Sequence, residues 1–266
     1  LHNRSREREA VVVKAAAALG ESGRPTARAD NPAAVARAST ILCLCLSDDA
    51  AVEAVLLEGD TAALTGLQAG ALVIDFSTIS PATTSRLAEH CASRGVGWLD
   101  APVTGGTEGA RAGTLSVLVG GGATDLERAR PLLEVVGGRI THLGPVGAGQ
   151  QAKAVNQVLV AGSYGAVAEA LALGQRLGLP MPELVEALSE GAAGSWALTH
   201  RSGHMLGNHY PLGFRLALHR KDLAIALESA AALELPLPLS ERIAALEDDL
   251  IARGHGDEDV SGSGNP

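Results

Sequence analysis

Aromatic side chains are scarce in this chain: phenylalanine, tryptophan and tyrosine make up 2% of its 266 residues. That removes the stacking platforms with which proteins hold single-stranded bases. Basic charge is also in short supply. Lysine and arginine number 21 against 30 aspartates and glutamates, for a formal net charge of −9. Without a basic stripe, no nucleic-acid partner is expected. The three cysteines, Cys43, Cys45 and Cys91, are too few for a disulfide framework. Their odd number, with no signal peptide apparent, fits a reducing cytoplasm. The apolar runs are broken by Gly, Lys, Asn or Glu, so no membrane span is expected. His200, His204 and His209 cluster loosely, without a carboxylate or cysteine at a ligating spacing. They read as a solvated polar segment, and no metal site is expected. No Gly-x-Ser-x-Gly elbow and no Walker loop occurs. Gly120-Gly-Gly122 reads as a plain strand-to-helix turn.

What is present is enough apolar material for a packed core: 46% hydrophobic residues against 19% charged. The first half alternates short branched-apolar runs with helical patterns. Ile41–Leu46, Leu72–Ile74, Val96–Leu99 and Leu115–Val119 read as strands, the first with Cys43 and Cys45 buried on one side. Asp48–Leu57, Pro81–Ser93 and Thr124–Val135 read as helices, the last opened by a Thr124-Asp-Leu-Glu127 capping box. Alternation of this kind implies an α/β fold with a mostly parallel sheet, which binds ligands at the carboxyl ends of its strands. A glycine-rich joint runs from Gly137-Gly138 to Gly149. Beyond it Ala152–Leu177, Met181–Glu190, Leu216–Leu235 and Ser240–Arg253 read as helices, and the tail from Gly254 as loose. The expected division is an α/β domain over residues 1–146 and an all-α domain over residues 147–266.

Five places carry possible chemistry. Lys153 stands near the start of a long apolar run, and Asn156 shares its helix face. Apolar surroundings and a nearby helix N-terminus both push a lysine pKa down, toward proton transfer near neutral pH. The alternative is a lysine whose head snorkels to water. Asp100-Ala-Pro-Val-Thr-Gly-Gly106 follows a strand, and Thr104, Gly105 and Gly106 suit a carboxylate or phosphate, unless they form an ordinary glycine turn. Leu46, Ser47 and Asp48 also follow a strand and either cap a helix or lie along a cofactor. Lys221-Asp222 is an adjacent charge pair inside a helical pattern. In a dinucleotide-binding unit an arginine after the second strand accommodates the 2′-phosphate of NADP. The start of the chain, Asn3-Arg4-Ser5, offers one.

Taken in order, these segments resemble the β-hydroxyacid dehydrogenase family. Ile74-Asp-Phe-Ser-Thr78, Gly113-Thr-Leu115, Val119-Gly-Gly121 and Gly147-Ala-Gly-Gln-Gln-Ala-Lys-Ala-Val-Asn156 join the set. The resemblance implies a Rossmann-like domain followed by a helical one, and an oxidoreductase using NADP, with NAD also possible. It implies a homodimer or homotetramer and a small carboxylate-bearing substrate interconverted between hydroxy acid and semialdehyde or keto acid. Lys153 matches the family's catalytic lysine. Asn156 matches a neighbouring residue that holds substrate, and Gln157 stands where many members have a second Asn. Thr104, Gly105 and Gly106 match the substrate-carboxylate loop, usually Ser-Gly-Gly. On the cofactor side the matches are Asn3, Arg4, Ser5, Leu46, Ser47, Asp48, Ser77, Thr78 and Lys221. Family members open with a strand and a Gly-x-Gly-x-x-Gly loop; none precedes Asn3, so an N-terminally truncated sheet is expected. Two rival expectations are an imine reductase, in which the lysine is usually replaced, and a non-catalytic homologue.

Overall fold

Three short polar caps organise the start of the chain. In the computed structural model, which describes residues 1–18 and 27–264, Asn31, Asp48 and Ser80 each accept a backbone N–H three residues on. These caps open α2 (Pro32–Arg37), α3 (Asp49–Leu57) and α5 (Pro81–Ala92), after α1 (Arg6–Ala18) and around the short α4 (Ala63–Gly66). Pro32 and Pro81 sit in the first helical turn, where a missing N–H costs nothing.

The chain forms two units. The first comprises Leu1–Pro102, Leu118–Leu133 and Thr141–Gly149. Its sheet has a parallel centre: β1 (Ile41–Leu44), β2 (Leu72–Asp75) and β3 (Gly97–Asp100), with Ile41 opposite Leu72 and Leu72 opposite Gly97. β2 is buried at every residue, as a parallel strand covered on both faces should be. Leu42, Leu44, Val52, Leu56, Ile79 and Leu87 pack the core beside it. The end of β5 (Leu115–Gly121) adds antiparallel to β3, Asp100 opposite Gly120, so the sheet is mixed. β6 (Gly137–Gly144) pairs with β5 in turn, and α7 (Ala123–Val136) lies between them in sequence.

Several sequence expectations are corrected here. Cys43 and Cys45 are exposed, not buried. β1 ends the strand order and turns Leu42 and Leu44 into the core, leaving Cys43 on the other face. Gly120 and Gly121 are strand, not turn, because β3 backs directly onto them. A Cβ on Gly121 would lie 2.6 Å from Leu99 Cδ2 and 2.8 Å from the Trp98 carbonyl. Gly137–Gly144 is strand rather than joint, held partly by His142 Nε2 against the Gly121 carbonyl at 2.8 Å. Thr124 opens no capping box, since α7 begins at Ala123 and Glu127 pairs instead with Arg130.

The second unit comprises Val103–Val117, Glu134–Ile140 and the chain from Gln150. β4 (Val103–Thr104) pairs antiparallel with β5, Val103 opposite Val117, and leads into α6 (Gly106–Ala112). The rest is helical: α8 (Ala148–Arg176), α9 (Met181–Ser189), α10 (Trp196–Leu206), α11 (Leu216–Ala231) and α12 (Pro238–Ala252). Ala154 and Ala161 of α8 meet Leu223, Ala226 and Ala244 in one core; Val167 and Leu171 meet Met181, Ala197 and Leu198 in another. α8 is long and apolar enough to cross a membrane by length and composition, against the expectation from its interrupted sequence. In this fold it is packed along one side by its neighbours. The histidines His200 and His204 ride on α10, which buries Arg201 and Ser202, so that segment is not merely solvated. The tail is docked, not loose: Asp259 Oδ2 accepts the N–H groups of Gly213 and Phe214, and Val260 is buried.

Asp100 closes the end of β3 in a nest of glycines. Gly147 N–H donates to Asp100 Oδ1 at 2.8 Å. A Cβ on Gly149 would lie 2.4 Å from the Leu118 carbonyl and 2.8 Å from Asp100 Oδ2. Gly149→Ala should therefore cost about 1–3 kcal/mol or more through overpacking. Gly203→Ala in α10, where nothing lies within 4 Å, should gain about 0.5–1 kcal/mol. Thermal unfolding of the two variants checks both signs.

Candidate functional site

Lys153 lies in the second turn of α8, further in than the sequence pattern suggested, because the helix starts at Ala148. The dipole, strongest in the first turn, is therefore a lesser influence. The side chain is 8% exposed, and Nζ donates to the Val103 carbonyl at 2.9 Å. Burial holds the ammonium pKa below its ordinary 10.5; the Asp222 carboxylate opposes this, and the Lys221 charge adds to it. The snorkelling alternative does not describe this lysine. Its head is tied to the carbonyl that precedes Thr104.

From there the chain runs through Thr104, Gly105 and Gly106 into α6. Gly105 and Gly106 have φ of 132° and 66°, a region that favours glycine. A Cβ on Gly105 would meet Leu115 Cδ2 at 3.2 Å, and one on Gly106 would lie 2.8 Å from Glu108 Oε2. The loop is thus glycine by necessity, and it exposes backbone beside a buried cation.

One polar chain continues from the lysine's face. Asn156 Nδ2 donates to Gln157 Oε1 at 2.7 Å, and Gln157 Nε2 donates to Asp222 Oδ2 at 2.8 Å. Asp222 Oδ1 pairs with Lys221 Nζ at 2.7 Å. Gln157 and Asp222 are buried. The Lys221-Asp222 pair is accordingly no solvated face: its carboxylate is the common partner of Gln157 and Lys221. Sequence reasoning noted Asp222 without assigning it to the site. Its signal was an aspartate inside an apolar helical pattern, which burial demands be paired.

The other expected positions belong to the first unit. Leu46–Asp48 and Ser77–Thr78 leave the carboxyl ends of the neighbouring parallel strands β1 and β2, the edge where such sheets bind ligands. Ser77 Oγ accepts the Leu46 N–H at 2.9 Å, fixing one segment to the other. Asp48 caps α3, and its other oxygen accepts from Ser47. This strand-end platform fits a dinucleotide lying along it. Asn3 N–H donates to buried Glu9 Oε1 at 2.7 Å, Ser5 O accepts from Asn3 Nδ2, and Arg4 is exposed. Among the described residues no group of three or more His, Cys, Asp or Glu side chains could hold a metal.

Comparison with known proteins agrees across the chain. Residues 1–144 match the family model described as the NAD binding domain of 6-phosphogluconate dehydrogenase. Residues 147–263 match the one described as NAD-binding of NADP-dependent 3-hydroxyisobutyrate dehydrogenase. The chain is 40% identical over 220 residues to the 2-hydroxy-3-oxopropionate reductase of Escherichia coli K12, covering 83% of this chain and 75% of that protein. The solved structure of Mycobacterium tuberculosis 3-hydroxyisobutyrate dehydrogenase with L-serine is 32% identical. Its TM-score is 0.81, with 96% of this chain and 87% of that chain covered. An imine reductase from Myxococcus stipitatus in complex with NADP+ gives a TM-score of 0.60 at 18% identity, covering 98% of this chain and 88% of that one. At that identity the likeness concerns the fold alone.

The platform contains one titrating group. Asp75, fully buried, accepts the Ser77 N–H with Oδ1 at 2.9 Å, while Oδ2 has no hydrogen-bond partner. Burial pushes its pKa up from 3.8 to about 7, with Asp100 and Asp49 adding to the rise against the Ser77 hydrogen bonds. A raised carboxyl stabilises the fold fully below its unfolded value and loses that contribution as pH climbs through about 7. Asp75→Asn cannot lose it. The melting temperature of the variant, relative to wild type, should be higher at pH 8 than at pH 5. An equal offset at both would show that Asp75 does not titrate in this window.

Proposed function

The chain belongs to the β-hydroxyacid dehydrogenase family of NAD(P)-dependent oxidoreductases, and on that premise we propose that Lys153 is its general acid and base. The proposed reaction interconverts a small β-hydroxy acid and its semialdehyde or keto acid, with NADP preferred. The observation that carries this reading is the buried Lys153 ammonium, hydrogen-bonded at the mouth of the Thr104–Gly106 loop. Bound cofactor supplies or accepts the hydride. Lys153 then gives a proton to the carbonyl oxygen in reduction, or takes one from the hydroxyl in oxidation.

The glycine loop receives the substrate carboxylate on its exposed backbone, with the Thr104 hydroxyl beside it. Asn156 stands one helical turn from the lysine to hold the substrate, and Gln157 fixes Asn156. Asp222 keeps Lys153 from losing its proton too readily, since its charge opposes the effect of burial. Leu46–Asp48, Ser77 and Thr78 hold the cofactor, Lys221 reaches it, and Asn3–Ser5 meet its ribose end, with Arg4 supplying charge for a 2′-phosphate. The lysine argues against imine reduction. The exposed Val155 and Leu159 of α8 support a homo-oligomer, and a cytoplasmic location suits a metabolic enzyme of this kind.

Lys153→Ala should lower kcat by ~10²–10⁴, the usual worth of a positioned proton donor, while NADPH affinity by fluorescence titration stays within about threefold. Retained turnover would sink the assignment. In hydroxy-acid oxidation the neutral amine is the active form, so the rate should rise with pH along a limb lying below 10.5. Asp222→Asn removes the opposing charge and should move that limb to still lower pH. Arg4→Asp should shift the NADP/NAD preference toward NAD; an unchanged ratio refutes the Arg4 role. Failure of the chain to bind NADPH at all would favour a non-catalytic protein.

A further inference from the structure

Arg201 is a buried cation whose side chain is incompletely satisfied. It projects from α10, with Nη2 donating to Glu108 Oε1 at 2.9 Å and Nη1 to the His200 carbonyl at 3.3 Å. Its guanidinium carbon lies 4.5 Å over the Trp196 ring, and the Tyr164 hydroxyl shares a hydrogen bond with it. Nε is buried with no hydrogen-bond partner. Buried donors are rarely left unpaired without cause.

The partner of this cation is an unusual choice for a structural tie. Glu108 is about half exposed, and its second oxygen, Oε2, accepts from Thr107 Oγ1 at 3.2 Å. That same oxygen lies 2.8 Å from where a Cβ on Gly106 would stand, so the carboxylate rests against the glycine loop. Trp196 closes the other side, 3.9 Å from the same point. Asp259, the other acid near Arg201, is already engaged by the N–H groups of Gly213, Phe214 and Ser261 and by the Ser261 hydroxyl. The buried guanidinium thus meets its acid from the solvent side, beside the loop that receives substrate.

We propose that Arg201 anchors a second carboxylate on the substrate, and that Glu108 is the internal anion which that carboxylate displaces. The proposal rests on the reading that Lys153 and Thr104–Gly106 form the substrate site. An exposed glutamate loses little on returning to water, while an arginine fork accepts an incoming carboxylate on two parallel bonds. A buried cation stripped of its acid would be costly, so with a monocarboxylate bound Glu108 remains in place. The favoured class is therefore a β-hydroxy dicarboxylic acid and the corresponding oxo diacid.

Calorimetric titration with NADP present compares 2-(hydroxymethyl)butanedioate with 3-hydroxypropanoate. Wild type should bind the diacid at least tenfold more tightly. Arg201→Gln should cut the diacid-to-monoacid ratio at least tenfold, and Glu108→Gln, which removes the competing anion, should raise it threefold or more. A wild-type ratio near one, or an Arg201→Gln loss equal for both acids, overturns the proposal. Should Arg201→Gln fail to fold, the Glu108→Gln ratio decides. Turnover separates the two readings. Diacid preference in binding without oxidation of either acid would sink the dehydrogenase reading alone. Oxidation without diacid preference would sink the Arg201 anchor alone.

Discussion

The desolvation of one ammonium group governs the second unit. Lys153 is charged at an ordinary pKa only in water, and α8 removes it from water. Everything near it compensates or exploits that cost. The Val103 carbonyl takes one of its protons in a hydrogen bond, and the Asp222 carboxylate supplies opposing charge from α11. Gln157 and Lys221 then hold Asp222. Remove the burial and the remaining groups are an unremarkable collection of polar side chains. With it, they become a poised proton donor beside a glycine loop.

The first unit shows the same economy with opposite charge. Asp75 and Asp100 are opposite each other on neighbouring parallel strands, both fully buried. They are treated differently. Asp100 takes the Gly147 N–H in a pocket that only glycines can line. Asp75 has one oxygen engaged and one idle, and its pKa rises to about 7. Two carboxylates of the same type, one strand apart, are thus separated by what their neighbours can donate. The less satisfied one anchors Ser77, which in turn anchors Leu46.

Much of this was legible in the sequence where local rules apply. The alternation of strand and helix, the caps at Asp48 and Ser80, and the apolar run around Lys153 follow from period and capping chemistry. The misreadings share a different origin. Glycines at 120, 121 and 137 look like turns in sequence, but here they let strands pass close to neighbours. α1 lacks an apolar stripe and is fastened instead by Arg6 and Asn3 on buried Glu9, a pattern no periodicity reveals. Cys43 is apolar enough for a core, yet β1 lies at the end of the strand order. Arg201 and Glu108 are 93 residues apart, and nothing local announces their pairing. Lys153, by contrast, was conspicuous because a charge in an apolar run is locally anomalous.

The length of α8 has a consequence of its own. Twenty-nine residues without a proline form one continuous rod, and position along a rod is also orientation around it. Each residue advances the helix by 1.5 Å and turns it by about 100°. Gln150, Lys153 and Gln157 are buried on one side while Val155 and Leu159 face outward. Losing or gaining a single residue before Lys153 would trade those sides, presenting the ammonium where an aliphatic chain now stands. Substitutions elsewhere on this helix change contacts one at a time. A change of length changes all of them together, so α8 is a segment in which evolution is free to vary side chains but not to count differently.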